Sequence, residues 1–240
     1  MPATGPSLTV EQLNFFKLQL IVYDDFPEAM RLVFKTMWDK KFPAQPWDDS
    51  VAVHNQFSTQ EARNPKKHMV PIRESYKTWH ITALVHATIF AFSFQDPATG
   101  QTLYDKYLRG SAPPPGSLRH ENISTGNQDE TFALAVDQLR LLKNAISHAP
   151  STKVIDKTTF HRYTYRAKMA FQAIGYSTKN IDDITNLPED EFLAEKIPGL
   201  KERIKKQKNA ARCKNYWLPF AVALVIVLLG ICYKYYSHDE

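Results

Sequence analysis

The sequence predicts an all-α protein: an antiparallel helical bundle with two long loops, followed by one C-terminal transmembrane helix. Three observations carry this reading. Apolar residues recur at three-to-four spacing in several segments of the first 186 positions, and no stretch shows the alternation of a half-buried strand. Two polar stretches with prolines, 39–71 and 95–128, interrupt those segments. Residues 216–233, YWLPFAVALVIVLLGICY, run without a charge. The 240 residues, 43% of them apolar and 23% charged, suffice for a buried core and argue against wholesale disorder.

The elements follow in chain order. Thr9 and Gln12 can form a capping box that opens a long helix from Val10 to about Trp38. Its stripe is Leu13, Phe16, Leu20, Tyr23, Phe26, Met30, Val33, Phe34 and Met37, and Pro27 should kink or split it. Residues 39–71 read as a connection with one short helix. An apolar helix spans 76–94 with Trp79, Leu84, Val85 and Phe92, ending before Asp96 and Pro97. After the second irregular stretch, Asp129 caps a helix that buries Phe132, Ala135, Leu139, Leu142 and Ile146, and Pro150 closes it. Asp156 opens another, with Phe160, Tyr163, Ala167, Phe171 and Ile174 inward and Gly175 at the stop position. Short helical pieces follow near 178–186 and 189–196.

Composition narrows the function classes. Two cysteines without a CxxC make neither a disulfide framework nor a structural zinc site. The phosphate-loop, dinucleotide-binding and nucleophile-elbow glycine motifs are absent, and no cofactor or metal is expected. The net charge of +5 is unevenly distributed. Within 201–214 stand Lys201, Arg203, Lys205, Lys206, Lys208, Arg212 and Lys214 against Glu202 alone; this segment contributes +6 and leaves the other 226 residues at −1.

That basic run directly precedes the uncharged segment. As a helix, 216–233 would be roughly 27 Å long, close to the ~30 Å hydrocarbon core. Tyr216 and Trp217 at one end and Tyr233 at the other suit the interfaces. Seven cations before the span and Lys234 after it place the body in the cytosol and residues 234–240 on the far side. The opening residues MPATGPSLTVEQ show no signal-peptide pattern, so a tail-anchored protein of an intracellular membrane is expected, at the endoplasmic reticulum or the outer mitochondrial membrane. The basic run 199–215 would meet anionic lipid headgroups. Cys213 is a weak candidate for S-acylation and Cys232 reads as lipid-facing.

The residues that point to chemistry sit near the end of the 129–148 helix. Arg140, Lys143, Asn144, Ser147 and His148 share an arc of roughly 140° opposite the apolar face, at about 100° per residue. Arg140, Asn144 and His148 form an i, i+4, i+8 ladder. Two cations, an amide and an imidazole suit a phosphodiester: the cations neutralise phosphate, and histidine moves a proton at neutral pH. The same pattern also describes a solvated helix face that ends in histidine, where a cation favours the dipole. His80 and His86, six apart and off a common face, read as packed or loop-facing rather than as ligands.

The string from Lys143 and Asn144 to His148 resembles the Arg-Asn-x-x-x-His signature of HEPN domains. The wider context is similar to the type found in the DAZ-interacting RING-finger ubiquitin ligase and its invertebrate relatives. Leu13-Asn-Phe-Phe-Lys-Leu-Gln-Leu20 and Phe42-Pro43 match that domain's opening, and His80-Ile-Thr-Ala-Leu84 its central helix. The prolines of 112–115, ahead of the motif helix, match its proline-rich loop. The resemblance implies a HEPN-like helical domain over 10–198, behind a tail of residues 1–9, that pairs as a homodimer near the motif. It also implies either metal-independent RNA cleavage or a non-catalytic role in RNA binding or signalling assembly, and links to innate-immune or stress signalling with protein partners the sequence does not name. In a nuclease, His148 would be the acid or base, Asn144 would orient the phosphate or the histidine, and Lys143 would replace the family arginine, with Arg140 a further contributor.

Two departures bear on that choice. Lys143 offers a point charge where arginine offers a two-pronged fork, and Ser147 stands where the ligase-type motif commonly has glycine. Two cysteines cannot build a RING finger, so ubiquitin-ligase activity is not implied. The expected function is therefore a membrane-tethered, non-catalytic RNA-binding or protein-interaction scaffold, with ribonuclease activity through Lys143, Asn144 and His148 as the alternative.

The topology is open to direct measurement. Asn122, in the sequon Asn122-Ile-Ser124, should stay unmodified in cells, while a sequon placed on a lengthened C-terminal tail should acquire glycan. Deleting 215–240 should move the protein to the soluble fraction. Glycan on Asn122 would reverse the orientation.

Overall fold

A computed structural model describes residues 8–111, 123–147, 154–196 and Gly199. The chain divides into two units, Met1–Leu187 and Pro188–Glu240. All regular secondary structure among the described residues is helical, as predicted. The span 216–233 with Tyr216, Trp217 and Tyr233, the basic run 201–214, the prolines of 112–115, Asn122, His148 and Pro150 lie outside the described residues. No described helix is long and apolar enough to cross a membrane.

The first unit is built around α1 (Val10–Lys41). The predicted capping box is present: Thr9 N–H donates to Gln12 Oε1 at 3.0 Å, and Gln12 N–H donates to Thr9 Oγ1 at 3.3 Å. Glu11 in the first turn and Lys40 and Lys41 in the last complement the helix dipole. Leu20, Phe26, Met30, Val33, Phe34 and Met37 of the predicted stripe are buried, whereas Phe16 and Tyr23 are only partly so. Six consecutive residues, from Lys17 to Val22, are buried, more than one full turn. That stretch is therefore enclosed, while Glu28 and Leu32 further along are exposed; α3 (Ile81–Thr88), α5 (Gln128–Ser147), α6 (Lys157–Ala173) and α7 (Lys179–Asn186) all pack against the helix. Of the two outcomes expected at Pro27, a kink or a split, the split does not occur. The missing N–H leaves the Tyr23 carbonyl without its helical donor, but Phe26, Ala29 and Met30 beside it are fully buried and hold the backbone in register.

Polar residues of this helix tie down the chain around it. Lys17 Nζ donates to the carbonyls of Thr185 (3.1 Å) and Leu187 (2.7 Å), at the end of α7, where a cation suits the dipole. Asn14 Nδ2 donates to the Ile155 carbonyl at 3.1 Å, and Ile155 N–H donates to the Glu11 carbonyl at 3.0 Å. Asn180 Nδ2 donates to both oxygens of the buried Asp25, at 2.9 and 2.8 Å. Burial pushes the Asp25 carboxyl up to about 6, against the downward pull of Asn180.

The C-terminal half of α1 packs into an aromatic cluster. The Phe34 ring lies 4.6 Å from Trp47, 5.4 Å from Trp79, 5.7 Å from Phe57 and 6.0 Å from Phe94, mostly edge to face. The cluster orders the long 42–80 connection, which carries α2 (Val51–Gln60) as its one α-helix. Trp38 Nε1 donates to the Gln45 carbonyl at 2.9 Å and Trp79 Nε1 to the Pro71 and Glu74 carbonyls, so both indoles are satisfied.

The predicted 76–94 helix is broken. A 3-10 turn covers Tyr76–Thr78, α3 covers Ile81–Thr88, and a second turn covers Phe92–Phe94. Glu61, just after α2, supplies the reason. Its buried carboxylate accepts from Asn64 Nδ2 (2.7 Å), Phe92 N–H (3.1 Å), Ser93 N–H (2.7 Å) and Ser93 Oγ (2.6 Å). The amides a continuing helix would spend on its own carbonyls go to Glu61 instead. His80 Nδ1 caps α3 by accepting from Ala83 N–H at 3.1 Å.

α4 (Leu103–Tyr107) is a short helix within the second predicted loop. α5 and α6 fall where the sequence placed them. The cap of α5 is Asn127 rather than Asp129: Asn127 Oδ1 accepts from the amides of Asp129 and Glu130, at 3.0 and 3.1 Å. Asp156 caps α6 as predicted, accepting from Thr159 N–H at 2.8 Å, and Gly175 follows with φ +73°. In α6, Phe160, Ala167 and Phe171 are buried and Thr164 joins them, while Tyr163 is half-exposed. In the second unit, α8 (Glu189–Glu195) opens with Glu189, Asp190 and Glu191, the charge its N-terminus favours.

Removing the central ring tests this account. Phe34→Ala should lower the unfolding free energy by about 3–5 kcal/mol in urea titrations. Leu32→Ala, at a partly exposed position of the same helix, should change it by no more than about 0.5 kcal/mol.

Candidate functional site

α5 buries Phe132, Ala135, Leu139, Leu142 and Ile146, as the sequence predicts. α1, α3, α4 and α6 pack against this helix. Arg140, Lys143 and Asn144 are partly exposed and Ser147 is exposed, so three of the four predicted site residues share one face of the helix. The fourth, His148, is outside the described residues.

Arg140 is fixed within its own helix. Its Nε and Nη2 donate to Asp137 Oδ1 at 2.7 and 2.5 Å, and Asp137 is buried. The carboxylate orients the guanidinium through its Nε–Nη2 edge and leaves the Nη1–Nη2 end to meet an anion.

The structure adds a group of residues that the sequence pattern had left apart. His86 on α3 is half-buried, and its Nδ1 is buried with no hydrogen-bond partner among the described residues. Its imidazole is pushed down to about 4, first by burial and then by the positive charges of Lys66, His68, Arg140 and His80. Four cation-forming residues from three places, the 65–69 turn, the start of α3 and α5, thus act on one neutral ring. Aromatic surface lies among them. The Phe90 ring sits 5.0 Å from His86 at 31° and 4.5 Å from Tyr104 at 32°, and Lys66 Nζ stands 4.0 Å over it. Asn64 Nδ2, which also donates to Glu61, donates to the Phe90 carbonyl at 2.9 Å and helps hold this segment.

His80 is exposed and caps α3, while His86 is half-buried beside Phe90 and feels the charges of Lys66 and Arg140. Lys66, His68, Phe90 and Tyr104 carry no signal in the sequence because they lie on turns and short helices without periodicity. Among the described residues no group of three His, Cys, Asp or Glu side chains could hold a metal ion. Lys66 and Arg140 thus bring positive charge to a half-buried imidazole whose Nδ1 is buried, beside the rings of Phe90 and Tyr104.

The two perturbed groups act on stability in opposite directions over one pH window. Unfolded, His86 takes a proton near 6.5; folded, it does so only near 4, so the unfolded state binds more protons in between and His86 makes stability rise with pH. Asp25 keeps its proton to about 6 when folded against 3.8 when unfolded, so it makes stability fall with rising pH. Relative to wild type, His86→Gln should therefore lose stability and Asp25→Asn gain it as pH rises from about 4 to about 6, read by urea unfolding at each pH. Parallel profiles for the two variants would contradict both assignments. No family model, curated protein or solved structure matches this chain, so the reading of this face rests on its own geometry.

Proposed function

We propose that the chain is a non-catalytic RNA-binding module of the HEPN type, held on an intracellular membrane by residues 216–233 with its helical body facing the cytosol. One observation supports RNA as the ligand: the charges of Lys66, His68, Arg140 and His80 act on His86, whose ring lies 5.0 Å from Phe90, and Phe90 in turn lies 4.5 Å from Tyr104 and 4.0 Å under Lys66 Nζ. Single-stranded nucleic acid needs both parts, cations along its phosphates and aromatic faces for its bases. An anion bound here would relieve the mutual repulsion of the cations and favour protonation of His86. Homodimerisation, further protein partners and a place in innate-immune or stress signalling belong to the same reading and rest on the resemblance alone. Lipid contact by the basic run, from Lys201 to Lys214, rests on its position before the apolar segment.

Binding rather than cleavage is favoured by Lys143 in place of the family arginine, a point charge where a two-pronged fork would align the phosphate. Metal-independent cleavage by Lys143, Asn144 and His148 is the second reading, supported by the partial exposure of Lys143 and Asn144 beside Arg140.

Full-length protein in detergent micelles, titrated into a labelled single-stranded RNA, distinguishes the two. Lys66 and His68 are exposed, so changing them spares the core. Lys66→Glu with His68→Gln should weaken binding about tenfold or more and make the salt dependence shallower, by about one in slope for each phosphate that is no longer neutralised. The RNA should remain intact. Cleavage that falls roughly 10²–10⁴-fold in His148→Ala and rises in Lys143→Arg would establish the nuclease reading instead. Binding unaffected by the double variant would remove the proposed interface.

A further inference from the structure

A second feature of the first unit shares no residue with the cationic face. The last turn of α1, residues 94–97, α4 and the first turn of α5 enclose a cavity of about 380 Å³, within the size range of small-molecule sites. Met37, Phe94 and Leu103 line it and are buried, giving it an apolar floor.

Three lysines and two aspartates line the same cavity, and their pairing is unequal. Lys40 donates to Asp129 Oδ1 at 3.2 Å and to Gln128 Oε1 at 3.0 Å. Lys106 donates to Asp96 Oδ2 at 2.7 Å. Lys41 donates only to the Gln95 carbonyl among the described residues, at 3.3 Å. Burial pulls its ammonium down from the ordinary range, and the more distant charge of Asp129 only partly offsets this. An ammonium has three protons to donate. One long bond to a neutral oxygen leaves Lys41, an exposed residue, the one lysine of the lining with no carboxylate partner among the described residues, and the lining carries one positive charge in excess.

We propose that this cavity binds a small monoanion with an apolar body, a carboxylate on an aromatic or short aliphatic frame, with Lys41 receiving the carboxylate and Met37, Phe94 and Leu103 receiving the frame. The lining also selects against other ligands. A cation meets three ammonium groups, and a neutral ligand leaves Lys41 as it was. A ligand with two negative charges brings the second one toward Asp96 or Asp129.

The test uses full-length protein in lipid nanodiscs and ligand-observed NMR, with empty nanodiscs as the partitioning control. Three probes share one frame and differ in charge: 4-phenylbutyrate, 4-phenylbutanol and 4-phenylbutylamine. The carboxylate should bind saturably, at least about tenfold more tightly than the alcohol, the difference a charge-assisted hydrogen bond supplies. The amine should not bind. Lys41→Gln should bring the carboxylate down to the level of the alcohol, whereas Lys40→Gln should leave the preference for carboxylate in place. Leu103→Trp should fill the cavity and abolish binding of every probe; if circular dichroism shows that this variant does not fold, the two exposed lysine changes decide alone. Equal binding of all three probes, no saturable binding of the carboxylate, or a carboxylate preference that survives Lys41→Gln would overturn the proposal. The outcome is independent of RNA binding, since Lys66 and His68 do not line the cavity.

Discussion

α1 has no solvent face from Lys17 to Val22, and much of the first unit follows from that constraint. A helix buried from Lys17 to Val22 needs walls on every side, and α3, α5, α6 and α7 supply them. Its polar residues then require partners, because burying an unpaired donor or charge is costly. Lys17, Asn14 and Asp25 find theirs on the end of α7, at Ile155 and on Asn180. Each bond draws a later part of the chain onto α1, so the polar content of the central helix organises the order in which its neighbours sit.

Buried carboxylates have a comparable effect elsewhere. Glu61 collects four donors and ends α3 early, which turns 92–94 away from helical continuation. Asp137 holds Arg140 in a fixed pose. Both act through charge-assisted hydrogen bonds in a setting where water cannot substitute, which makes them more selective than apolar contacts of similar area. Glu61 fixes the backbone of Phe92 and Ser93, and Asp137 fixes Arg140.

The face around His86 and the α1-end cavity are two different electrostatic designs. On the face, positive groups crowd a ring that stays neutral, and an extended polyanion would relieve the crowding at several points at once. In the cavity, most charge is already neutralised by Asp96 and Asp129, and a single lysine stands over an apolar floor. The first suits a charged strand and the second a compact molecule.

The sequence by itself was enough for what depends on neighbours along the chain. The capping box at Thr9, the Asp156 cap, the buried stripe of α5 and the helical class all rest on residues within a few positions of one another, where periodicity and cap chemistry act. The common face of Arg140, Lys143 and Asn144 was legible for the same reason. What only the tertiary structure decided depends on residues far apart. Pro27 is carried within an unbroken helix because packing holds it. The break of 76–94 is made by a carboxylate at position 61, the lack of a carboxylate partner at Lys41 is set by where Asp96 and Asp129 fall, and the charges acting on His86 join a turn near 66 to a helix at 140. No local pattern encodes such meetings, because the energy of a charge or a buried hydrogen bond depends on distance in space and on the exclusion of water, and both are set only once the chain has folded.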